Sequence, residues 1–330
     1  MEKMNSKIKK NSGGALRPVV SLVKNNLGIL IGLIIICVFM SFASPHFLTA
    51  QNIRNVLRQI SSTLLMASSM TMILIIGGID LSLGSIISLT GVITASFMTA
   101  KNLPMPVAII CGLLVGIIAG SINGVLLSRT KMPPFMITWC IGNICLGISY
   151  IYSNSESFRI KNDAFMEIGT GNLWGIPLPV IYTVIVVVFS YIVLNRTRLG
   201  RYMYAIGGNP SAAKYAGIDA YRVKLFAYVF SGFLASLAGI VITARSSAGI
   251  PQSGSGAEMD AIAAAVLGGT SMAGGSGRLS GTVIGALIIG TLGNGLNLMG
   301  INSFYQYILK GIVIILAVTV DYLKKGELKA

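Results

Sequence analysis

Three carboxylates sit in stretches that carry little other charge. Asp80 stands inside GGIDLSLGS, residues 77–85, between two apolar runs. Glu258 and Asp260 lie within GIPQSGSGAEMDAIAAAVLGGTSMAGGSGRLSG, residues 249–281. A charge at the centre of a bilayer costs about 3 kcal/mol on insertion scales, so acids held in apolar surroundings need a reason. Gly77 and Gly78 disfavour a continuous helix through Asp80, and Ser82 is of a type that caps the next helix. Two readings stand for Asp80. In one, the helix breaks there and its freed backbone groups face protein or water. In the other, Asp80 caps a helix near the cytoplasmic surface. In both it is structural or gate-forming, with no evident proton acceptor or metal partner. Glu258 and Asp260 open a short apolar run, where the positive end of a helix dipole favours acids. That run is too short to span comfortably. A short or re-entrant helix is expected, entered through a polar external loop, rich in small residues and lining a cavity. Gly77, Gly78, Asp80, Ser82, Glu258, Asp260, Gly268 and Gly269 are therefore the candidate pathway and gate residues.

Other chemistries find little support. There is no GxxxxGK[ST] loop, so the chain is not expected to bind ATP. Cys37, Cys111, Cys140 and Cys145 all lie in apolar segments, without a CxxC pair or a neighbouring histidine, and point to neither a metal site nor a disulfide. The single histidine, His46, follows the first apolar run and reads as interfacial. No His, Cys or Ser constellation has spacing suited to catalysis.

A fourth stretch, RTRLGRYMYAIGGNPSAAKYAGIDAYRVKL at residues 196–225, is basic and lies between two apolar runs. Asn209 is a strong N-cap and Pro210 suits the first helical position. Ser211, Ala212, Ala213, Lys214, Tyr215 and Ala216 favour helix, and Gly217 ends it. A helix of about two turns is marginal alone, so it must dock against something. A soluble partner and an anionic lipid surface both remain open from these features.

The elements that position these residues follow from composition. The 330 residues are 54% hydrophobic and only 11% charged. A soluble domain carries about 25% charged residues. Apolar runs at 27–43, 60–76, 83–99, 107–127, 135–152, 178–194, 225–244, 257–267, 279–298 and 305–322 predict an all-α polytopic membrane protein of about ten spans, some of them broken or re-entrant. The basic N-terminus and first run read as an uncleaved first helix. With the N-terminus inside, the inner segments hold eighteen Lys and Arg and the outer ones six, while Lys310 falls within the last span. That bias places both termini in the cytoplasm, and it accounts for the net charge of +15 without a nucleic-acid partner. The expected organisation is a cytoplasmic tail at 1–26, one membrane domain at 27–322 with a cytoplasmic loop at 196–224, and a tail at 323–330. The largest external loop, about 153–177, holds Glu156, Asp163, Glu167 and Trp174 and reads either as an ordered surface or as a linker. Gly112, Gly116, Gly120 and Gly124 line one face of a span, either for packing inside the subunit or as a dimer seam. GGIDLSLGS and GGTSMAGGS (268–276) share the pattern GG, five residues, GS, a hint of internal repetition.

Several of these stretches together resemble one family. SPHFLTAQNIRNVLRQIS, GGIDLSLGSIISLTG, NRTRLGRYMYAIGGNPSAAKYAGIDAYRVKL, MDAIAAAVLGGTSMAGGSGRLSGTVIGALIIG and SFYQYILKGIVIILAV, in this order, resemble the permease subunits of bacterial ABC importers of the ribose, galactose, arabinose and xylose group. The resemblance covers residues 28–321 or so. It implies a multi-pass protein of the bacterial cytoplasmic membrane that uses no cofactor. Its implied partners are a cytoplasmic ABC ATPase, an extracytoplasmic sugar-binding protein, a second permease, read as an identical copy, and membrane lipid. It implies that residues 209–217 form the helix that couples to the ATPase, and that the solute is a monosaccharide, with ribose-like pentoses first. The alternative is an ion-coupled secondary transporter, for which Asp80, Asp260 and Lys310 are the candidate groups. A cluster of aromatic and acidic residues fit for a tight sugar site is not visible in the sequence.

Overall fold

A computed structural model describes residues 26–302 and positions 304–306, 308–309, 311–312, 315 and 319. Most of the N-terminal tail, the C-terminal tail, Lys310 and much of the expected span at 305–322 lie outside the described residues. The elements run α1 (Leu27–Ala43), α2 (Ala50–Ile75), α3 (Leu83–Thr99), α4 (Met105–Arg129), α5 (Pro134–Ser153), β1 (Phe158–Arg159), α6 (Asp163–Thr170), β2 (Asn172–Leu173), β3 (Ile176–Pro177), α7 (Leu178–Arg196), α8 (Arg198–Gly208), α9 (Pro210–Tyr215), α10 (Ala220–Ser246), β4 (Ala248–Gly249), α11 (Ala257–Leu267) and α12 (Leu279–Leu298). Five of the described helices, α4, α5, α7, α10 and α12, are long and apolar enough to cross a membrane, and α1 and α3 are shorter apolar helices. The chain is a helical, polytopic membrane protein.

Burial does not follow hydropathy. The apolar helices α4, α5 and α7 leave most of their residues uncovered. By contrast, α2 is buried on every side from Ile60 to Ile75, although it is rich in Ser, Thr and Met. Its hydroxyls bond back to its own carbonyls, Ser68 Oγ to Leu64 O and Thr71 Oγ1 to Ala67 O, each at 2.7 Å. A helix wrapped by protein does not need the apolar surface that lipid demands. This also explains why α2 begins ten residues before the apolar run at 60–76. Thr49 caps it by accepting from Asn52 N at 3.3 Å, and its first turns carry Arg54 and Arg58, which a hydropathy window discounts. Near that end Asn52 and Asn294 of α12 exchange two side-chain hydrogen bonds, at 3.0 and 2.9 Å.

The region at 153–177 is ordered. Asn162 caps α6 by accepting from Phe165 N at 3.0 Å. Strands β2 and β3 pair Asn172 with Pro177, and β1 pairs antiparallel with β4, Phe158 opposite Gly249. The β1–β4 ladder holds the segment that leads down to α11. His46 sits in the exposed turn between α1 and α2.

The glycine face of α4 looks into the subunit. A Cβ on Gly112 would overlap Thr94 of α3. On Gly116 and Gly120 it would overlap the carbonyls of Gly232 and Tyr228 of α10, and on Gly124 it would press on Leu225. The Gly116–Gly232 contact is reciprocal, since a Cβ on Gly232 would overlap the Gly116 carbonyl. Backbones meet without side chains between them, the arrangement that small residues permit in membranes. Replacing Gly116 with Val should therefore destabilise the subunit by about 1–3 kcal/mol, read as a lower melting temperature in detergent with the oligomeric state unchanged. Gly28→Ala, where nothing lies within 4 Å of the added carbon, should leave the melting temperature alone.

Candidate functional site

The first broken element runs from the end of α2 to the start of α3. Gly77, at φ +75°, closes α2: Gly77 N donates to Leu74 O and Gly78 N to Ile73 O, both at 2.9 Å. The chain then leaves helical geometry until Leu83. Leu81 N donates to Thr138 Oγ1 of α5 at 3.1 Å, and that hydroxyl lies 3.2 Å from the Ile79 carbonyl. Thr138 thus occupies backbone groups that the break exposes.

Asp80 has no exposed surface. Its Oδ1 accepts from Ser82 N at 3.0 Å and from Ser82 Oγ at 2.5 Å, and its Oδ2 accepts from Ser231 Oγ of α10 at 2.8 Å. Ser82 Oγ in turn accepts from Asn123 Nδ2 of α4 at 3.0 Å. The carboxylate therefore ties the break to two neighbouring helices. Asp80 is enclosed by its own subunit, and its bond to Ser82 N just ahead of α3 serves the helix start as well as the break. Ser82 occupies the N-cap position of α3 without a side-chain cap bond; its hydroxyl is taken up by Asp80 and Asn123.

The second broken element descends from β4 to α11. Gly254 N donates to Ser88 Oγ of α3 at 3.0 Å, and a Cβ on Gly254 would overlap the Gly84 carbonyl. Gly256, at φ +79°, is the N-cap of α11. Glu258, in the first turn of α11, reaches Gly84 in the first turn of α3, where a Cβ would overlap its Oε2. The backbone amides of Gly84 and Gly256 both act on the Glu258 carboxylate. Two helix N-termini, those of α3 and α11, thus meet at one carboxylate, which complements both dipoles. At its far end α11 stops as α2 does. Gly269, at φ +82°, donates to Val266 O at 2.8 Å, and Thr270 N donates to Ala265 O at 3.0 Å. The similarity seen between the two glycine motifs is thus geometric, with Gly269 rather than Gly268 matching Gly77. Gly268 serves close packing instead, facing the backbone of Gly281 and Thr282 in α12.

A cavity of about 190 Å³ opens where α3, α5 and α11 converge. Ser85, Ser88, Trp139, Asn143 and Glu258 are among its lining. Asp260, in the same turn as Glu258, is not in that lining. The sequence reading missed Trp139 and Asn143. The available signal was a Trp and an amide four residues apart on one face of an apolar helix.

On the opposite side of the breaks lie α8 and α9. Thr197 caps α8 by accepting from Gly200 N at 3.2 Å. This 11-residue helix was not expected from the loop's charge. Its last turn packs on the broken elements: a Cβ on Gly207 would overlap the Ile75 carbonyl, which itself accepts from Gly275 N at 2.9 Å. Gly274 lies against Gly77 and the Gly207 carbonyl, and Tyr204 Oη donates to Gly277 O at 3.0 Å. Glycines from three distant stretches form one backbone-to-backbone junction. Helix α9 has the expected ends. Asn209 Oδ1 accepts from Ala212 N at 2.9 Å, Pro210 takes the first position, and Gly217 lies at φ +75°. Gly217 N donates to Lys214 O and Ile218 N to Ala213 O, both at 3.0 Å. Only Ala213 of α9 is buried; Ser211, Ala212, Lys214 and Ala216 are exposed and Tyr215 is 92% exposed.

A family model described as the permease component of the branched-chain amino acid transport system matches residues 52–318. The ribose import permease protein of Haemophilus influenzae is 43% identical over 295 residues, 88% of this chain and 91% of the relative. The protein of the same name in Bacillus subtilis is 43% identical over 306 residues, 92% of this chain and 95% of the relative. The D-allose transport system permease protein of Escherichia coli is 42% identical over 290 residues, 88% of this chain and 89% of the relative. No solved structure matches. Broken helices meeting end to end, an enclosed carboxylate at one break and this match over most of the length lead to one statement: the chain is a multi-pass protein of the bacterial cytoplasmic membrane and belongs to the transport-system permease-component family.

Proposed function

We propose that the chain is the membrane-spanning permease subunit of an ABC importer for a monosaccharide, with a ribose-like pentose favoured. An extracytoplasmic binding protein delivers the sugar. A separate cytoplasmic ATPase supplies the energy. Two permeases, read as identical copies, enclose the path. The membrane domain at 27–322 then crosses about ten times, with both tails and the loop at 196–224 in the cytoplasm. The observation that carries this reading is α9: an intact, doubly capped short helix with nearly all its side chains exposed, set on α8, which in turn presses its backbone on both breaks. So short a helix persists only where a partner or the fold holds it, and here one buried alanine does the holding from within. A groove on the ATPase is the fitting partner. The names of the relatives support a sugar as solute, through ribose and allose. Ion coupling has less support, because all the side-chain partners of Asp80 are hydroxyls and the residue is closed to solvent.

Movement of α8 and α9 toward the membrane would act directly on Ile75, Gly77 and Gly274, the ends of both broken elements. The membrane halves would then alternate between outward- and inward-facing states.

Ala213→Pro removes the Ala213 N to Asn209 O bond, 3.0 Å long, from the first turn of α9. The variant should still insert in the membrane, yet it should lose both transport and co-purification of the ATPase, seen by pull-down and mass spectrometry. Normal transport by this variant would end the coupling assignment. At the first break, Gly78→Leu places a carbon 2.5 Å from Tyr228 Oη and 3.3 Å from the Ile73 carbonyl. It should lower uptake of radiolabelled sugar more than tenfold, equivalent to about 1.4 kcal/mol or more. Asp80→Asn keeps an acceptor for Ser82 and should cost less than that. The reverse order would point to a proton or ion at Asp80.

A further inference from the structure

The cavity between α3, α5 and α11 opens past Trp139 and Asn143, both exposed on α5. An amide exposed along a spanning helix is unfavourable against lipid, so this face meets water or protein. Its volume of about 190 Å³ is below the roughly 300–1,000 Å³ of sites for drug-sized ligands and suits one small ring. The lining joins a large aromatic face to short polar groups. Asn143 Nδ2 donates to the Trp139 carbonyl at 3.1 Å, which leaves Asn143 Oδ1 as an acceptor. Ser85, partly exposed in the same lining, adds a hydroxyl.

Charge narrows the ligand class. Where broken helices hold an anionic solute, their N-termini point at its carboxylate. Here the N-termini of α3 and α11 already share the carboxylate of Glu258. Among the described residues no lysine or arginine lines the cavity. A solute bearing its own carboxylate would find both helix ends already occupied and no cation to hold it.

We propose that this cavity is a transit subsite for a neutral monosaccharide. Trp139 lies under the apolar face of the ring. Asn143 and Ser85 exchange hydrogen bonds with its hydroxyls, and Glu258 keeps out anionic solutes. The proposal rests on the reading of the chain as a sugar permease and deepens it. Binding here is weak, as transit requires, because each contact is a single neutral hydrogen bond or the edge of an open cavity.

The test is saturation-transfer NMR on the full chain in lipid nanodiscs. D-ribose, D-allose and L-arabinose are the neutral probes, and D-ribonate is the anionic one. At least one neutral sugar should show transfer and ribonate none. Asn143→Leu and Trp139→Ala, both at exposed positions, should each weaken the sugar signal about tenfold. Glu258→Gln, which keeps the side-chain shape, should admit ribonate. The subsite is overturned by silence from all three sugars, by transfer that survives both α5 substitutions, or by ribonate binding the wild type as well as the sugars do. Continued refusal of ribonate by Glu258→Gln overturns the exclusion role. Pull-down of the ATPase by wild-type protein, gently extracted from its own membrane, checks the underlying reading separately. An ATPase retained beside any of the negative results sinks the subsite alone, whereas its absence sinks the permease reading.

Discussion

Every backbone polar group inside a bilayer must find a partner within the protein, and a helix broken at mid-course violates this unless something supplies the missing bonds. The structure is organised around meeting that demand twice. At the first break the supply comes from Asp80 and Thr138, with Ser82 and Ser231 holding Asp80 and Asn123 holding Ser82. At the second it comes from Ser88 and Glu258. The helices contributing these groups are fixed as a consequence. α10 and α4 must lie against the first break, and α5 must approach α3 closely enough for Gly142 to face Ser82. The glycine face of α4 and the small residues of α10 are what allow that approach. Satisfying the backbone thus dictates the packing, and the packing leaves the cavity beside the two helix ends.

The same demand explains why one of the most buried helices carries so many hydroxyls. In water, the hydrophobic effect pulls apolar side chains inward. In a bilayer that drive is absent between helices, and close packing with hydrogen bonds takes its place. Helix α2, buried on all sides, therefore holds serines and threonines, while α4, α5 and α7 carry Ile, Leu and Val on uncovered faces. The Asn52–Asn294 pair shows the principle at one point: two amides, each satisfying the other, join α2 to α12 without charge.

Much of the fold was legible in the sequence because hydropathy reports contact with lipid. The apolar helices and the ends of α9 followed from residue type and local chemistry, since Asn209, Pro210 and Gly217 act within a single turn. What stayed hidden was amphipathic or long-range. The start of α2 carries Arg54 and Arg58, and α8 is a helix whose apolar side, with Met203 and Ile206, is buried while its charged side is not. Both present the mixed composition of a loop. Asp80 could be placed at a break, but its enclosure depends on Ser231, far along the chain, whose serine signals nothing by itself. The cavity was invisible for the same reason. Trp139 and Asn143 acquire meaning only once α5 is laid across the meeting point of α3 and α11.

The junction under the two breaks bears on how force would travel. Side chains can change rotamer and absorb a displacement, whereas packed backbone cannot without moving a whole element. Gly77, Gly207 and Gly274 come from three stretches that meet with no side chain between them, and the Ile75 carbonyl is gripped by Gly275 N. A push on α8 must therefore shift the end of α2 and the end of the α11 segment together. Those ends lead directly to Asp80 on one side and, through α11, to Glu258 on the other. The small residue at each contact is thus more than a tolerance for tight packing: it removes the compliant layer between the loop at 196–224 and the cavity. Under the proposed coupling role, a rigid link of this kind would turn a small movement at an exposed short helix into a concerted change at both helix ends.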